Sequence, residues 1–283
     1  MQPLAYLDRD FLDSEEARPI RILAEYLEPL RRFRAQNIQD TVVFFGSARI
    51  HSREAAQQAL DELVKRHAVG GSRDVDEILA RGRRAVEWSR YYEEARQLAR
   101  MLTEWSRGLD TTHHRFVVTS GGGPGIMEAA NRGASDAGGK TIGLNISLPH
   151  EQGPNPYITD GLHFEFHYFF MRKFWFAYLA KALVIFPGGF GTLDEMFEIL
   201  TLMQTEKLGE RIQIVLYGSE YWDPILNLEP MAEWGAIGAD DTSLIKRANT
   251  PEQAFTLLKD HLSEHHLQRP APKKTPQLAR TRS

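Results

Sequence analysis

Five short apolar runs, separated by stretches with helical spacing, constrain the fold of this 283-residue chain more than any other feature. The runs are rich in β-branched and aromatic residues and lie at residues 41–45, 115–119, 141–144, 182–186 and 212–216. Because each run is continuous rather than alternating, it is typical of a strand buried on both faces. Helical spacing recurs at residues 91–107, 125–136, 169–180, 193–207 and 220–234. This alternation predicts the α/β class, with a doubly wound parallel sheet flanked by helices.

The remaining segments suggest how the chain is organised. Residues 1–39 form a predicted helical extension, packed on the core or on a second subunit, with Pro29 expected to kink its helix. Residues 40–266 form the predicted main domain, which carries a helical insertion at about residues 51–87 around a loop at 69–72. Residues 267–283 are basic and rich in proline, which predicts a disordered tail; a nucleic-acid or phospholipid contact is the alternative.

Charge and composition narrow the classes of function. The 34 basic and 38 acidic residues give a formal net charge of −4, which argues against bulk binding of nucleic acid. The chain has no cysteine, so disulfides, thiolate metal sites and cysteine nucleophiles are excluded. We find no apolar run of about 18 residues and no secretory signal in the acidic N-terminal stretch. We therefore predict a cytoplasmic protein that does not associate with a membrane.

The strongest motif is PGGFGTLDE at residues 187–195, which follows a predicted strand and opens a predicted helix. Glycines at 188, 189 and 191 let the backbone approach a ligand closely, and the free N–H groups of a helix start form an anion site. We therefore predict that a phosphate binds the backbone of the segment Gly188, Gly189, Phe190, Gly191 and Thr192, with the Thr192 hydroxyl adding a hydrogen bond. The alternative is a capping box, in which Glu195 reaches back to the helix start from a Thr192 cap.

A second glycine-rich motif, SGGGPGIMEAA, begins at residue 120, again between a strand and a helix. Its glycines Gly121, Gly122 and Gly123 allow a sugar or a base to lie against the backbone. It is not the GxGxxG fingerprint of nicotinamide enzymes, and the GxxxxGK[ST] loop of P-loop NTPases is absent. Glu128 is either a ribose ligand or a first-turn glutamate favoured by the helix dipole.

A third candidate is Arg172, in the stretch HYFFMRK at residues 167–173. It lies among aromatic residues, so it either points into a site or spreads its stem over apolar surface. The histidines are less informative. His163 and His167 are spaced for one helix face, but the sequence places no third ligand beside them, so we predict no metal.

Together these segments resemble the LOG (LONELY GUY) family of Rossmann-like proteins, once labelled lysine decarboxylases. The family signature PGGxGTxxE is matched at every fixed position from Pro187 to Glu195, and an Arg-Lys pair on the preceding helix is matched by Arg172 and Lys173. The stretch FGSAR beginning at Phe45 resembles the family's opening motif, and SGGGPGIMEAANRGA resembles its second glycine loop. The resemblance implies that residues 40–266 form a Rossmann-like nucleotide-binding domain.

The resemblance also implies an activity: hydrolysis of the N-glycosidic bond of a purine nucleoside 5′-monophosphate, either AMP or a cytokinin riboside monophosphate, without a cofactor. Arg172 and Glu195 would be catalytic, and the family's dimers imply a homodimer. A carrier or sensor that binds a nucleotide without hydrolysing it is the alternative. The ribose and base would lie against eight residues of the three motifs: Gly46, Ser47, Gly121, Gly122, Gly123, Met127, Glu128 and Lys173.

Overall fold

The computed structural model describes residues 3–67, 73–147, 153–208 and 212–267. The strands are β1 Thr41–Phe45, β2 Val117–Ser120, β3 Thr141–Ile146, β4 His163–Phe166, β5 Ala180–Ile185, β6 Gln213–Tyr217 and β7 Ile245–Ala248. The helices are α1 Arg9–Asp13, α2 Arg18–Ala35, α3 Arg53–Arg66, α4 Arg73–Arg107, α5 Ile126–Asp136, α6 Phe169–Leu179, α7 Phe190–Gln204, α8 Ser219–Trp222, α9 Glu229–Glu233 and α10 Pro251–Leu262. The predicted loop at 69–72 and, apart from Leu267, the predicted tail lie outside the described residues.

The strands form one parallel sheet in the order β4-β3-β2-β1-β5-β6-β7. The chain builds outward from β1 to β4 on one side, then crosses back and builds outward from β5 to β7 on the other. This confirms the predicted doubly wound α/β class. The order reverses between β1 and β5, which pair with each other in parallel. In open sheets of this kind, ligands bind beyond the carboxyl ends of the strands at such a reversal.

The core has two layers, one on each face of the sheet, because both faces of the central strands are buried. On one face, Val43, Phe45 and Ile185 belong to a layer that α6 and α7 cover with Trp175, Phe176, Met196 and Ile199. On the other face, alternating residues of the same strands, such as Phe44 and Val184, belong to a layer with apolar residues of α4, α5 and α10. The alternation of side chains along a strand therefore divides each apolar run between the two layers.

The N-terminal helix α2 packs against α6 within this chain. Phe33 of α2 lies 4.8 Å from Phe164 and 5.2 Å from Trp175, measured between ring centroids. Glu25 accepts hydrogen bonds from the backbone N–H groups of His167 and Tyr168, at 2.8 and 3.2 Å, and so holds the turn that leads into α6. The α2 helix thereby fixes the helix that carries Arg172.

The structure corrects the sequence prediction at three places. The short strands β4 and β7 are additional, and both lie at the sheet edges. The predicted helix at 220–234 is instead the two short helices α8 and α9: Pro224 lacks the N–H that would continue α8, and Pro230 lies in the first turn of α9, where that N–H is not needed. His163 and His167 do not share a helix face, since His163 begins β4 and His167 follows it.

Candidate functional site

Three loops meet at the carboxyl ends of the central strands, and Ser47 connects them. Its N–H donates to the Pro187 carbonyl at 2.9 Å, and its carbonyl accepts from the Ile126 N–H at 3.1 Å. These bonds join the loop after β1 to the loop after β5 and to the start of α5. The three glycine-rich motifs of the sequence are therefore held together at the point where the strand order reverses.

The loop after β5 leads into α7 without any side-chain cap. The helix begins at Phe190, and Gly189 is its N-cap residue. The first N–H groups of a helix have no partner within the helix, so those of α7 face outward for a ligand or water. Thr192 lies inside the first turn instead of capping it, and Glu195 makes no return contact to a Thr192 cap. The capping-box alternative is therefore wrong for this helix.

The glycines of this loop are there for different reasons. A methyl group on Gly188 would lie 2.1 Å from Thr192 Oγ1, so Gly188 makes room for that side chain. A methyl group on Gly189 or Gly191 would have no described protein atom within 4 Å, and neither residue has a left-handed backbone. Neither packing nor backbone conformation explains these two glycines. Both positions therefore leave room for a ligand to approach the backbone closely.

Glu195 is the buried carboxylate of the site, with only 9% of its surface exposed. Its nearest cation is Lys173, whose Nζ lies 3.7 Å from Glu195 Oε2. Burial raises the pKa of Glu195 to about 7, although the charges of Lys173 and Arg172 act in the opposite direction. Near neutral pH this carboxyl group is therefore divided between its acid and its carboxylate, which suits a group that exchanges a proton.

Lys173 is surrounded by carboxylates of α7. Its Nζ lies 2.8 Å from Asp194 Oδ2 and 2.8 Å from Glu198 Oε2, besides the longer contact to Glu195. Burial alone would lower the pKa of Lys173, but hydrogen bonds to Asp194 and Glu198 outweigh it and raise the pKa. Lys173 is therefore a fixed positive charge that ties α6 to α7 beside Glu195.

Arg172 points into the site. Its Nε donates to the Leu144 carbonyl at 2.8 Å, and its guanidinium lies 5.3 Å from the ring centre of Phe176. A methyl group on Gly121 would lie 2.7 Å from both Arg172 Nη2 and Met127 Sδ. The absence of a side chain at Gly121 thus lets Arg172 lie directly against the second glycine loop, close enough to Glu195 to lower its pKa.

The side chains of two asparagines, Asn145 and Asn155, pack against the second glycine loop. Gly122 has a left-handed backbone, with φ of 77°, and a methyl group there would collide with Asn145. The Asn155 side-chain amide donates to the carbonyls of Gly122 and Gly123 at 3.0 and 3.1 Å. These contacts hold the loop in its observed conformation. Met127 lies alongside Gly121 and Gly123.

Two predicted contact residues have clear structural partners. A methyl group on Gly46 would come within 2.8 Å of the Ile126 side chain, so Gly46 allows α5 to approach β1. Glu128 accepts a hydrogen bond from the Tyr92 hydroxyl at 2.6 Å, which commits one carboxylate oxygen to α4. Glu128 lies in the first turn of α5, and its contact with a ribose stays a prediction.

Sequence reasoning missed four residues of this neighbourhood: Asp194, Glu198, Asn155 and Tyr221. The spacing of Asp194 and Glu198 around Glu195 could have indicated an acidic cluster, because residues three or four apart on a helix share a face. Asn155 and Tyr221 carry no such signal. They reach the glycine loops from distant parts of the chain, and the Tyr221 hydroxyl donates to the Gly188 carbonyl at 2.9 Å.

The sheet, its reversal point and the uncapped helix behind a glycine-rich turn define a Rossmann-like α/β protein. Comparison with known proteins narrows the class further. Residues 127–258 match the family described as possible lysine decarboxylase. The chain is 28% identical over 168 residues to the rice (Oryza sativa subsp. japonica) cytokinin riboside 5′-monophosphate phosphoribohydrolase LOG, covering 57% of this chain and 64% of that enzyme. It is 30% identical over 118 residues to the Rhodococcoides fascians cytokinin riboside 5′-monophosphate phosphoribohydrolase, covering 39% of this chain and 56% of that enzyme.

Among solved structures, the structural-genomics target TM1055 aligns with a TM-score of 0.45 and 19% identity, over 78% of this chain and 99% of that chain. The sequence matches confirm the resemblance seen in the motifs: this chain is similar to proteins of the LOG family. The alignments span just under two thirds of the rice enzyme and just over half of the bacterial one.

Two further findings concern the described residues alone. None of their helices is both long enough and apolar enough to cross a membrane. They contain no cluster of three or more His, Cys, Asp or Glu side chains arranged to hold a metal ion.

Proposed function

We propose that this protein hydrolyses the N-glycosidic bond of a nucleoside 5′-monophosphate, releasing the free base and ribose 5-phosphate. One observation carries the proposal: a buried carboxylate, Glu195, lies one helical turn inside an uncapped helix whose Gly189 and Gly191 face space that no described residue fills. That arrangement offers an anion site and a titratable acid at the start of the same helix. The rice and Rhodococcoides fascians relatives are named for this activity on cytokinin riboside monophosphates.

The 5′-phosphate would bind the backbone of Gly188, Gly189, Phe190, Gly191 and Thr192 at the start of α7. Free N–H groups and the helix dipole both favour an anion there. A phosphate held at this point fixes the sugar, so binding energy far from the reacting carbon goes into orientation at that carbon. Gly121, Gly122 and Gly123 would provide the flat backbone surface for the ribose and base.

Glu195 would act at the anomeric carbon. As a carboxylate, it stabilises the positive charge that develops on the ribose when the glycosidic bond breaks, and it orients the attacking water. Its low exposure strengthens both effects, since little solvent screens the charge. We assign Arg172, which lies against Gly121, to steering the leaving base and the glutamate.

The environment of Lys173 argues against a Schiff-base decarboxylase at this site. A lysine that forms a Schiff base needs a lowered pKa so that the neutral amine can attack. Lys173 shows the opposite, because hydrogen bonds to Asp194 and Glu198 outweigh burial and raise its pKa. Its contribution here is its positive charge, which lowers the pKa of Glu195.

We further propose that the base is a purine, with AMP and cytokinin riboside monophosphates as the first substrates to test, and that the protein is a cytoplasmic homodimer. The half-exposed rings of Phe169 and Phe170 on α6 support a subunit contact beside the site. The test of activity incubates purified protein with AMP, isopentenyladenosine monophosphate and the corresponding nucleosides, and follows release of free base by chromatography. Binding of the monophosphates without release of base would contradict the proposal.

The pH dependence of activity follows from the pKa of Glu195, which is about 7. Because the carboxylate is the active form, kcat/KM should fall as pH drops below about 7, and this profile reports the free enzyme. Lys173 lowers the pKa of Glu195, so Lys173→Met should move the acidic limb to higher pH. The matched control is Lys207→Met, at an exposed lysine beyond the end of α7. If the acidic limb is unchanged in Lys173→Met, the group that titrates in the kcat/KM profile is not Glu195.

A further inference from the structure

Tyr221 contacts the proposed phosphate loop from a part of the chain that no motif covers. It lies on α8, after β6, and its hydroxyl donates to the Gly188 carbonyl at 2.9 Å. The peptide between Gly188 and Gly189 is trans, as are all peptide bonds in the described residues. In a trans peptide the C=O and the next N–H point in opposite directions. Holding the Gly188 carbonyl at Tyr221 therefore turns the Gly189 N–H the other way, away from α8.

Aromatic neighbours restrict the Tyr221 ring. Trp88 of α4 meets it edge to face, with ring centroids 5.4 Å apart at 90°. Trp222, which is fully buried, also packs edge to face, with ring centroids 4.9 Å apart. Burial raises the pKa of Tyr221, which keeps the hydroxyl protonated as a donor. Trp88 thus links the long helix α4 to the loop through one side chain.

We propose that Tyr221 is a positioning residue that orients the Gly188–Gly189 peptide for a phosphoryl group, and that Trp88 holds Tyr221 in place. This inference rests on the proposed function only in taking the start of α7 as the phosphate site. Tyr221 does not contact the substrate in this assignment. It selects the loop conformation in which the Gly189 N–H is available to the ligand, and so favours phosphorylated over unphosphorylated nucleosides.

The test is direct binding, measured by titration calorimetry with ribose 5-phosphate, AMP and adenosine. Tyr221→Phe removes one hydroxyl and no packing. We expect the Kd for ribose 5-phosphate and AMP to rise about three- to tenfold, the usual range for one hydrogen bond, and the Kd for adenosine to stay unchanged. In turnover, KM for AMP should rise by the same factor at nearly constant kcat, since uniform binding is lost. Tyr26→Phe, at a half-buried tyrosine of α2, is the matched control.

A double-mutant cycle separates the role of Trp88 from general packing. Trp88→Leu should weaken ribose 5-phosphate binding in the wild-type background and have no further effect in Tyr221→Phe, because its influence passes through the hydroxyl. Thermal melts of each variant confirm that it is folded. Additive effects of the two substitutions would overturn the role given to Trp88.

The outcomes distinguish this inference from the proposed function. If Tyr221→Phe binds ribose 5-phosphate as tightly as the wild type, the positioning role is wrong whatever the activity. If the wild type binds AMP without releasing base while Tyr221→Phe binds it more weakly, the hydrolase proposal fails and the positioning role stands. If the wild type binds neither ribose 5-phosphate nor AMP, the start of α7 is not a phosphate site and both proposals fail.

Discussion

Replacing Glu195 with glutamine should lower kcat/KM for the preferred nucleoside 5′-monophosphate by about 10²–10⁴-fold, the usual contribution of a positioned acid–base group. The amide keeps the size of the side chain but cannot carry the negative charge that the proposed mechanism requires. Binding of ribose 5-phosphate should change little, because the proposed phosphate site is the backbone at the start of α7. Base release and calorimetry on the same preparation measure the two effects separately.

The same substitution should stabilise the fold at high pH. The folded-state pKa of Glu195, about 7, lies above its ordinary value of 4.5. A raised folded-state pKa means that the stability of the protonated form is complete below pH 4.5 and is lost as pH rises to about 7. Glu195→Gln should therefore match the wild type at pH 4.5 and exceed it at pH 8, by up to about 3 kcal/mol in the free energy of unfolding.

Urea unfolding at the two pH values measures this difference. The control is Glu229→Gln, at an exposed glutamate of α9, which should change neither activity nor the pH dependence of unfolding. A Glu195→Gln protein with full turnover would remove the carboxylate from the mechanism. A protein that loses turnover without gaining stability at pH 8 would show that Glu195 is better solvated than its position indicates.

Replacing Gly191 with alanine should reduce activity without destabilising the fold. The position is in the first turn of α7, and a methyl group there would have no described atom within 4 Å. Alanine favours helix over glycine, so Gly191→Ala should keep or raise stability, by up to about 1 kcal/mol. If the space belongs to a phosphate, the methyl group displaces it, and kcat/KM should fall by about 10²-fold, as expected for a misplacement of about 1 Å.

Gly153→Ala is the matched control, because a methyl group on that glycine is equally free of described neighbours but lies outside the phosphate loop. It should leave both turnover and ribose 5-phosphate binding unchanged. The two variants are compared by thermal melting, calorimetry and base release. If Gly191→Ala binds ribose 5-phosphate as the wild type does, the ligand does not lie against that residue and the phosphate site must be placed elsewhere.

The strands β4 and β7 could not be predicted from the local pattern of apolar residues. The recognised strands are buried on both faces and therefore read as continuous apolar runs. The edge strands β4 and β7 are four residues each, and both include exposed residues. The sequences HFEF and IKRA are not continuous apolar runs, because one face of an edge strand needs no apolar side chain. Their place in the sheet is decided by pairing with β3 and β6.

The surroundings of Glu195 likewise could not be predicted from the sequence motif alone. The signature PGGFGTLDE allowed two incompatible readings of that residue, a helix cap and a site carboxylate, because both obey the same spacing along the chain. The structure excludes the helix cap, because Gly189 is the N-cap residue of α7 and lies three residues before Thr192. The surroundings of Glu195 come from α6, which carries Arg172 and Lys173.

The amino-acid sequence by itself determined the layered α/β architecture, the glycine-rich turns after β1, β2 and β5, and the resemblance to the LOG family, because these depend on residues close together in the chain. Only the tertiary structure decided that Glu195 is buried with a raised pKa, that Lys173 lies beside three carboxylates, and that the Tyr221 hydroxyl donates to the Gly188 carbonyl. Burial and charge depend on which distant segments fold against a residue. No spacing within one motif contains that information.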